Sequence, residues 1–443
     1  MDIFRGLIGM AFLLAIALAL SNNRKLINWR LVLIGLGIQL TLGVFILKGE
    51  QMAEVFSPLG WPKILFSGLS YFFVAILEFT TEGAQFVFGD LALSPGADNS
   101  YGFFFAFQVL PTIVFFASLT TLLYHYGVLQ WIVSKMATGM RKLMGVSGAE
   151  SLSVTANIFI GQTESPLLIK PYIENMTRSE LLTLMTGGMA TIAGGIMAAY
   201  IQLLGDSYAA IHDISLDAGR LIFAEQLLGA SIMAAPAALV IAKILYPEDK
   251  TPATMGEVKI NVEQTDANGI DAAATGASEG MRLALNVGAM LLAFIALLAM
   301  GNSILSWFGD IVGLNQAYGI TLTIQSILGY IFAPFAFMIG IPWADAINMG
   351  SMLGTKLVLT EFIAYIELSE AITNDTISQK TIIMATFALC GFANFTSIAI
   401  QIGGIGGIAP GRKAELAEFG VKAVLAGTMA NLMTATIAGV LYS

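Results

Sequence analysis

The strongest constraint on this chain is a polar knot, Gly161-Gln162-Thr163-Glu164-Ser165-Pro166, set between apolar arms. Ala156-Asn157-Ile158-Phe159-Ile160 leads into it and Leu167-Leu168-Ile169 leads out. Arms this short, broken by Gly and Pro, cannot make a membrane-spanning helix, which needs about 20 apolar residues. Taken alone, the knot has two readings. It is the tip of a re-entrant hairpin, tolerated at membrane depth only where it lines a cavity. A carboxylate there costs at least about 2.5 kcal/mol and marks a functional site. Alternatively, it is a cytoplasmic loop capping a helix, with Glu164 in water.

A second stretch decides between them. Leu357-Val358-Leu359-Thr360-Glu361-Phe362-Ile363-Ala364-Tyr365 again sets Thr-Glu between short apolar arms. An interrupted helix follows each knot. The first holds Met189-Ala190-Thr191-Ile192-Ala193-Gly194-Gly195-Ile196, the second Gly391-Phe392-Ala393-Asn394-Phe395-Thr396-Ser397-Ile398. A hairpin followed by a broken helix, twice over, is the pattern of an inverted-repeat transporter.

Composition agrees. The 443 residues are 56% hydrophobic and 12% charged, where soluble domains carry about 25% charged residues. The chain reads as an all-α polytopic membrane protein. Its net charge of −9 argues against nucleic acid as a partner. Cys390 is the one cysteine, so no intramolecular disulfide can form, and with only His125 and His212 beside it a transition-metal site is not expected. The stretch Gly6 to Leu20 lacks a small-residue cleavage site and reads as a retained span rather than a signal peptide.

In order, residues 4–20 and 31–47 form two spans. Residues 49–101 are mixed, and one or two helices lying on the outer membrane face are expected there, with Glu78, Glu82 and Asp90 forming a solvated face or, alternatively, an outer vestibule, and a loop over Ser94-Pro95-Gly96-Ala97-Asp98. Tyr101 to Tyr126 is a third span. The domain reading follows: 1–126 is mainly scaffold spans and outer interfacial helices. The first repeat is 127–246, with an interfacial helix at 127–145, a hairpin at 149–173, a broken helix at 179–204 and a span at 221–245. A cytoplasmic loop and a scaffold span near 283–300 fill 247–302, with 247–280 a flexible insert. The second repeat is 303–443, with an interfacial helix, a hairpin at 342–368, a broken helix at 381–405 and a span at 419–441. That gives eight transmembrane helices, counting each broken helix once, and two hairpins.

Positive charge sets the orientation. With the N-terminus outside, fifteen of the 21 Lys and Arg fall on the inner side, from Arg24 and Lys25 to Lys413 and Lys422. Five fall outside (Arg5, Lys48, Lys63, Arg220 and Lys380), and Lys356 lies within the second hairpin. The hairpins then enter from opposite faces, and both termini lie outside.

The same residues carry a family resemblance. Gly-Gln-Thr-Glu-Ser-Pro at 161–166, Glu-Phe-Ile-Ala-Tyr at 361–365 and Gly-Phe-Ala-Asn-Phe-Thr-Ser-Ile at 391–398 resemble the signatures of the concentrative nucleoside transporters, from about residue 100 to the C-terminus. Thr360 departs from the pattern, standing where Asn is expected. The resemblance implies a nucleoside substrate, sodium as the coupling ion without an organic cofactor, a homotrimer, and residence in the inner membrane. It implies that the first hairpin reads the base through Gln162, Thr163 and Glu164, with Ile196 beside them. The second hairpin and its broken helix would take the ribose through Glu361, Asn394 and Ser397, with Phe392 as a shield.

The residues themselves fit such roles, each with a plainer reading beside it. Gln162 offers an amide donor and acceptor, and Glu164 accepts from N–H groups. Phe392 could equally pack against lipid or core, and Asn394 and Ser397 could hydrogen-bond between helices. Their spacing of three on one face favours a site. For sodium the resemblance points to the side chains of Asn157 and Thr191 and the carbonyls of Ile160 and Ile192, which a hairpin tip and a broken helix release. Asn157 could instead merely cap its arm. Lys356 either neutralises a buried carboxylate or snorkels outward. Asp345 and Trp343 are placed at the outer entrance of the second hairpin.

The function expected is import of nucleosides by sodium symport, with the hairpins and broken helices moving against the other spans. A proton-coupled version would load Glu164. An intramembrane enzyme using Glu164 and Glu361 as acid and base lacks an accompanying nucleophile, metal cluster or nucleotide loop, so the chain is not expected to be an enzyme.

Overall fold

A computed structural model of the chain describes residues 2–94, 99–255, 266–314, 316 and 321–442. Every regular element among them is helical. Helices α1 (Asp2–Ala19) and α2 (Trp29–Leu47) come first, followed by the short α3 (Gly49–Val55) and the 28-residue α4 (Trp61–Phe88). A single turn, α5 (Phe105–Gln108), leads into α6 (Leu110–His125).

From there one succession of elements occurs twice. First come α7 (Val128–Met144), a hairpin of α8 (Gly148–Ala156) and α9 (Lys170–Ile173), an interrupted helix of α10 (Arg178–Ala190) and α11 (Gly194–His212), and the long α12 (Leu216–Leu245). The 43-residue α13 (Gly269–Ile311) follows. The second succession is α14 (Ile324–Met338), a hairpin of α15 (Ala346–Val358) and α16 (Glu361–Thr373), an interrupted helix of α17 (Gln379–Leu389) and α18 (Phe395–Ile408), and the long α19 (Lys413–Leu441).

Local chemistry explains these boundaries. Ser147 and Glu150 form a reciprocal capping box at the start of α8, and Thr177 and Glu180 form another at the start of α10. Each satisfies two N–H groups that a helix start leaves without partners. At nine residues, α8 rises only about 14 Å, less than half of a bilayer's hydrocarbon core. The two long helices form the centre: α12 is buried over almost its whole length and α19 over most of it. α12 packs on α2, α4, α10 and α11, and α19 on α1, α10, α17 and α18. In contrast, α13 lies along α6 and leaves most of its apolar surface exposed. Among the described residues, seven helical stretches are long and apolar enough to cross a membrane, including Arg178–His212, Leu216–Leu245 and Gly269–Ile311.

The structure corrects several boundaries. α13 begins at Gly269, inside the segment expected to be a flexible insert over 247–280. Low hydropathy concealed it there. Asn268 caps its start, accepting from the Ile270 and Asp271 amides, and Ala272-Ala273-Ala274 favours helix. The helix also runs on to Ile311, so no boundary falls between residues 302 and 303 and no separate interfacial helix starts there. The broken helices reach His212 and Ile408 rather than 204 and 405, and the second hairpin reaches Thr373. Over 49–101, α4 has the length and hydropathy of a crossing helix where surface helices were expected. Its Glu78 and Glu82 are exposed. Most of the loop expected at 94–98, and Lys259 in the charge argument, lie outside the described residues.

Candidate functional site

Both hairpin tips and both helix interruptions converge on one cavity of about 210 Å³. The first tip is a tight turn in which the Glu164 and Ser165 amides donate to the Gly161 carbonyl, at 3.2 and 3.1 Å. The Glu164 side chain folds back over it, so a Cβ at residue 161 would collide with the carboxylate. A side chain at this position would displace the Glu164 carboxylate from its place over the turn. Gln162, Thr163 and Glu164 line the cavity from this side. From the second hairpin come Thr360, Glu361 and Phe362. The interruptions add Ala193 and Ile196 from the first repeat, and Phe392, Asn394, Thr396, Ser397 and Ile400 from the second. All eight residues singled out as substrate contacts thus border one space.

The polar rim is a connected network. Glu361 is buried, and its two oxygens are held separately. Oε1 accepts from the Tyr200 hydroxyl at 3.1 Å and Oε2 from the Asn394 amide at 2.7 Å. Asn394 is also the N-cap of α18, its Oδ1 accepting from the Ser397 amide at 2.8 Å. The spacing of three between Asn394 and Ser397 is thus a capping geometry rather than a shared helix face. Gln162 bridges the repeats: Nε2 donates to Ser397 Oγ at 3.2 Å, and Oε1 accepts from Gln401 Nε2 at 2.9 Å. Gln401 also donates to the Met185 carbonyl at 3.0 Å, tying α18 to α10. Thr360 caps α16, its hydroxyl facing the Ile363 amide. A threonine therefore does the capping that an asparagine at this position would do.

The same cavity has an apolar lining of Leu283, Val287, Met290 and Leu291, all from α13. A second cavity of about 340 Å³ adjoins, and Glu164 lines both. Thr120, Tyr124, Ile160, Lys170 and Glu279 also border it. Tyr200, Gln401 and the α13 wall were missed by sequence reasoning. Gln401 carried a signal, being a lone amide in the apolar run Ile400-Gln401-Ile402.

The four residues assigned to sodium lie where the first tip meets the first interruption. The Gly194 amide donates to the Phe159 carbonyl at 3.1 Å, joining the two segments. Asn157 caps the end of α8 and donates through Nδ2 to the Ser153 carbonyl at 3.1 Å, while its Oδ1 is buried without a partner. The first bond of α11 runs from the Met197 amide to the Ala193 carbonyl, so the Ile192 carbonyl precedes the helical ladder. Thr191 closes α10, its hydroxyl donating to the Gly187 carbonyl at 2.9 Å. A buried acceptor with no donor is costly, and an ion that accepts oxygen ligands relieves it.

Other expected residues sit elsewhere. Asp345 accepts from the Ser378 and Thr381 hydroxyls, both at 2.6 Å, fastening the start of the second hairpin to α17. Trp343 beside it is exposed. Lys356 does not snorkel: it is buried, makes no contact ion pair among the described residues, and donates to the Ala388 carbonyl and Asn431 Oδ1, both at 2.9 Å, while its charge acts through space on the buried Glu361 carboxylate.

Helical hairpins that stop short of a bilayer's thickness, converging with two interrupted helices on a polar-rimmed cavity, define a membrane transporter rather than an enzyme. Comparison with known proteins gives the family. Residues 8–91, 106–207 and 226–439 match, in turn, the Na+ dependent nucleoside transporter N-terminus, the nucleoside recognition "Gate" and the Na+ dependent nucleoside transporter C-terminus. YutK of Bacillus subtilis, an uncharacterised transporter, is 45% identical over 99% of both chains. Sodium/nucleoside cotransporter 1 of Mus musculus is 38% identical over 98% of this chain and 63% of its own length. The solved structure of CNTnw in an inward-facing substrate-bound state is 40% identical and superposes with a TM-score of 0.85, covering 100% of this chain and 98% of the other. The chain belongs to the sodium-dependent nucleoside transporter family.

Proposed function

We propose that this protein imports nucleosides by symport with sodium, moving its two hairpins and interrupted helices against a scaffold that includes α6 and α13. The observation that carries this reading is the division of the cavity into a polar rim and an apolar wall. Gln162, Thr163, Glu164, Glu361, Asn394 and Ser397 belong to the hairpins and interruptions, while the apolar lining belongs to α13. A substrate with a hydrogen-bonding base edge and sugar hydroxyls is held by one body and slides past the other. The apolar wall offers no hydrogen bond that must break during the movement. The ribose is assigned to Glu361, Asn394 and Ser397, the base edge to Gln162, Thr163 and Glu164, and packing against the ligand to Ile196 and Phe392. The second cavity, sharing Glu164, serves as the inward route.

Sodium is assigned to Asn157, Thr191 and the Ile160 and Ile192 carbonyls, supported by the unpartnered Asn157 Oδ1. The twofold succession of elements reads as an inverted repeat with hairpins entering from opposite faces. With α4 assigned to the outer membrane face, where its exposed Glu78 and Glu82 meet water, eight spans remain and positive charge favours both termini outside, in an inner membrane. The exposed face of α13, with Leu292, Met300, Trp307 and Ile311, supports assembly as a homotrimer.

Uptake of labelled uridine into proteoliposomes, in sodium, in choline, and under an imposed proton gradient, tests the reading. Uptake driven by sodium alone is expected. Uptake that follows only the proton gradient would move the coupling to Glu164.

A further inference from the structure

The two helix interruptions are not served alike. Around the first hairpin tip, Thr155 Oγ1 and Asn157 Oδ1 are buried oxygens without partners. Around the second hairpin and its interruption, residues 346–394, none of the described side chains leaves a buried polar atom unpartnered. The difference is Lys356. It projects from the last turn of α15 and is fully buried. Among the described residues it makes no ion pair with a carboxylate. Its partners are instead one helix end and one asparagine side chain. The ammonium donates to the Ala388 carbonyl, at the end of α17, and to Asn431 Oδ1 of α19. Asn431 Nδ2 in turn donates to the Ala190 carbonyl, the last residue of α10, at 2.7 Å.

Both half-helices therefore finish at one lysine–asparagine pair. A helix C-terminus carries roughly half an elementary negative charge, so the end of α17 favours the ammonium directly, and Asn431 links it to the end of α10. The crossing is tight. Gly391 has a φ of +140°, and a Cβ there would lie 2.6 Å from Asn431 Oδ1 and 2.8 Å from the Ala190 carbonyl. A substituted residue would push the pair apart.

We propose that the Lys356 ammonium is a tethered cation, occupying in the second repeat the place that a free sodium ion takes in the first. It holds the ends of α10 and α17 together through every stage of transport, and it leaves the protein needing one exchangeable cation rather than two. Lys356 touches neither the substrate nor the sodium ligands, and is a positioning residue. The comparison with a free ion rests on the sodium assignment proposed above; the lysine's own role does not.

The test uses the full-length protein in proteoliposomes, with Lys356→Ala to vacate the site and Lys356→Met to keep its bulk without charge. Loss of the donor leaves the Ala388 carbonyl and Asn431 Oδ1 unpaired, so uptake is expected to fall about tenfold to a hundredfold in both. Ethylammonium or propylammonium in the assay is expected to restore part of the uptake of Lys356→Ala but not of Lys356→Met, whose side chain fills the space. The sodium activation curve of Lys356→Ala is expected to steepen as a second ion enters. Wild-type uptake by Lys356→Met would overturn the proposal, because it would make the lysine a space-filler. So would a folded, monodisperse Lys356→Ala that regains nothing from amines and shows an unchanged sodium curve. If Lys356→Ala does not fold, the Met variant still decides. Wild-type uptake indifferent to sodium would overturn the sodium reading alone, and the amine rescue would then be measured under the ion that does drive uptake.

Discussion

At the scale of single residues, the cavity is governed by one carboxylate with its two oxygens held apart. Tyr200 and Asn394 fix Glu361 in place, and each oxygen keeps acceptor capacity for a further donor. Glu361→Gln removes the charge and turns one acceptor into a donor that faces the Tyr200 or Asn394 donor. Hydrogen bonds to charged groups are worth about 1.5–3 kcal/mol, so uridine binding is expected to weaken by about tenfold to more than a hundredfold, with uptake lost. Calorimetric titration of the detergent-solubilised variant checks this, and wild-type affinity would remove the ribose assignment. Gln162 is different, because its amide already joins Ser397 and Gln401. It retains one N–H and one lone pair for a base edge. Gln162→Met is expected to cost about 1–3 kcal/mol of binding, and less for adenosine, which has more stacking surface, than for uridine. Competition of both against one labelled substrate reads the difference; equal losses would make Gln162 a strut between repeats.

At the scale of elements, the hairpins owe their form to interruption. In the first, a capping box starts α8 and the turn over Gly161 to Pro166 ends its short apolar arm before it can cross a membrane; in the second, the break between Val358 and Glu361 does the same. The same interruptions release the carbonyls assigned to sodium. Asn157→Ala and Thr191→Ala are each expected to raise the sodium concentration for half-maximal uptake. Because both ligands would stabilise one arrangement of tip and interruption, uridine affinity at fixed sodium should fall as well. Sodium titrations of uptake and of uridine binding check this together. The tips were legible in sequence because a Thr-Glu pair inside a greasy chain has few places to go. The helix boundaries were less so. α13 runs far beyond its apolar middle because Asn268 and an alanine run start it, and because Gly276 and Gly280 let it close on α6, where a Cβ would press on Ala117 and Val114. Hydropathy carries no record of that contact. Tyr200 was invisible for a related reason: an aromatic among alanines reads as core, and its hydroxyl finds Glu361 only once the repeats are brought together.

At the scale of the whole molecule, the chain divides by what its surfaces touch. The hairpins and interruptions carry the polar rim, and α13 carries the apolar wall. The proposed movement of these bodies against each other predicts that a covalent tie across the cavity stops transport. With Leu283→Cys on α13 and Ile400→Cys on α18, a short bifunctional thiol reagent is expected to abolish uptake. Each single variant left untreated should retain it, and each single variant treated alike measures the obstruction that one adduct in the cavity causes by itself. Cross-linked protein that still transports would mean that α13 travels with the site.

The solitary thiol has a practical meaning. Cys390 is buried in the second interruption, with its sulfur 3.9 Å from the Leu227 carbonyl. The native chain is therefore close to a blank slate for fluorophore attachment. Dye pairs placed on engineered cysteines can watch single molecules change shape without first stripping the protein of its own sulfhydryls.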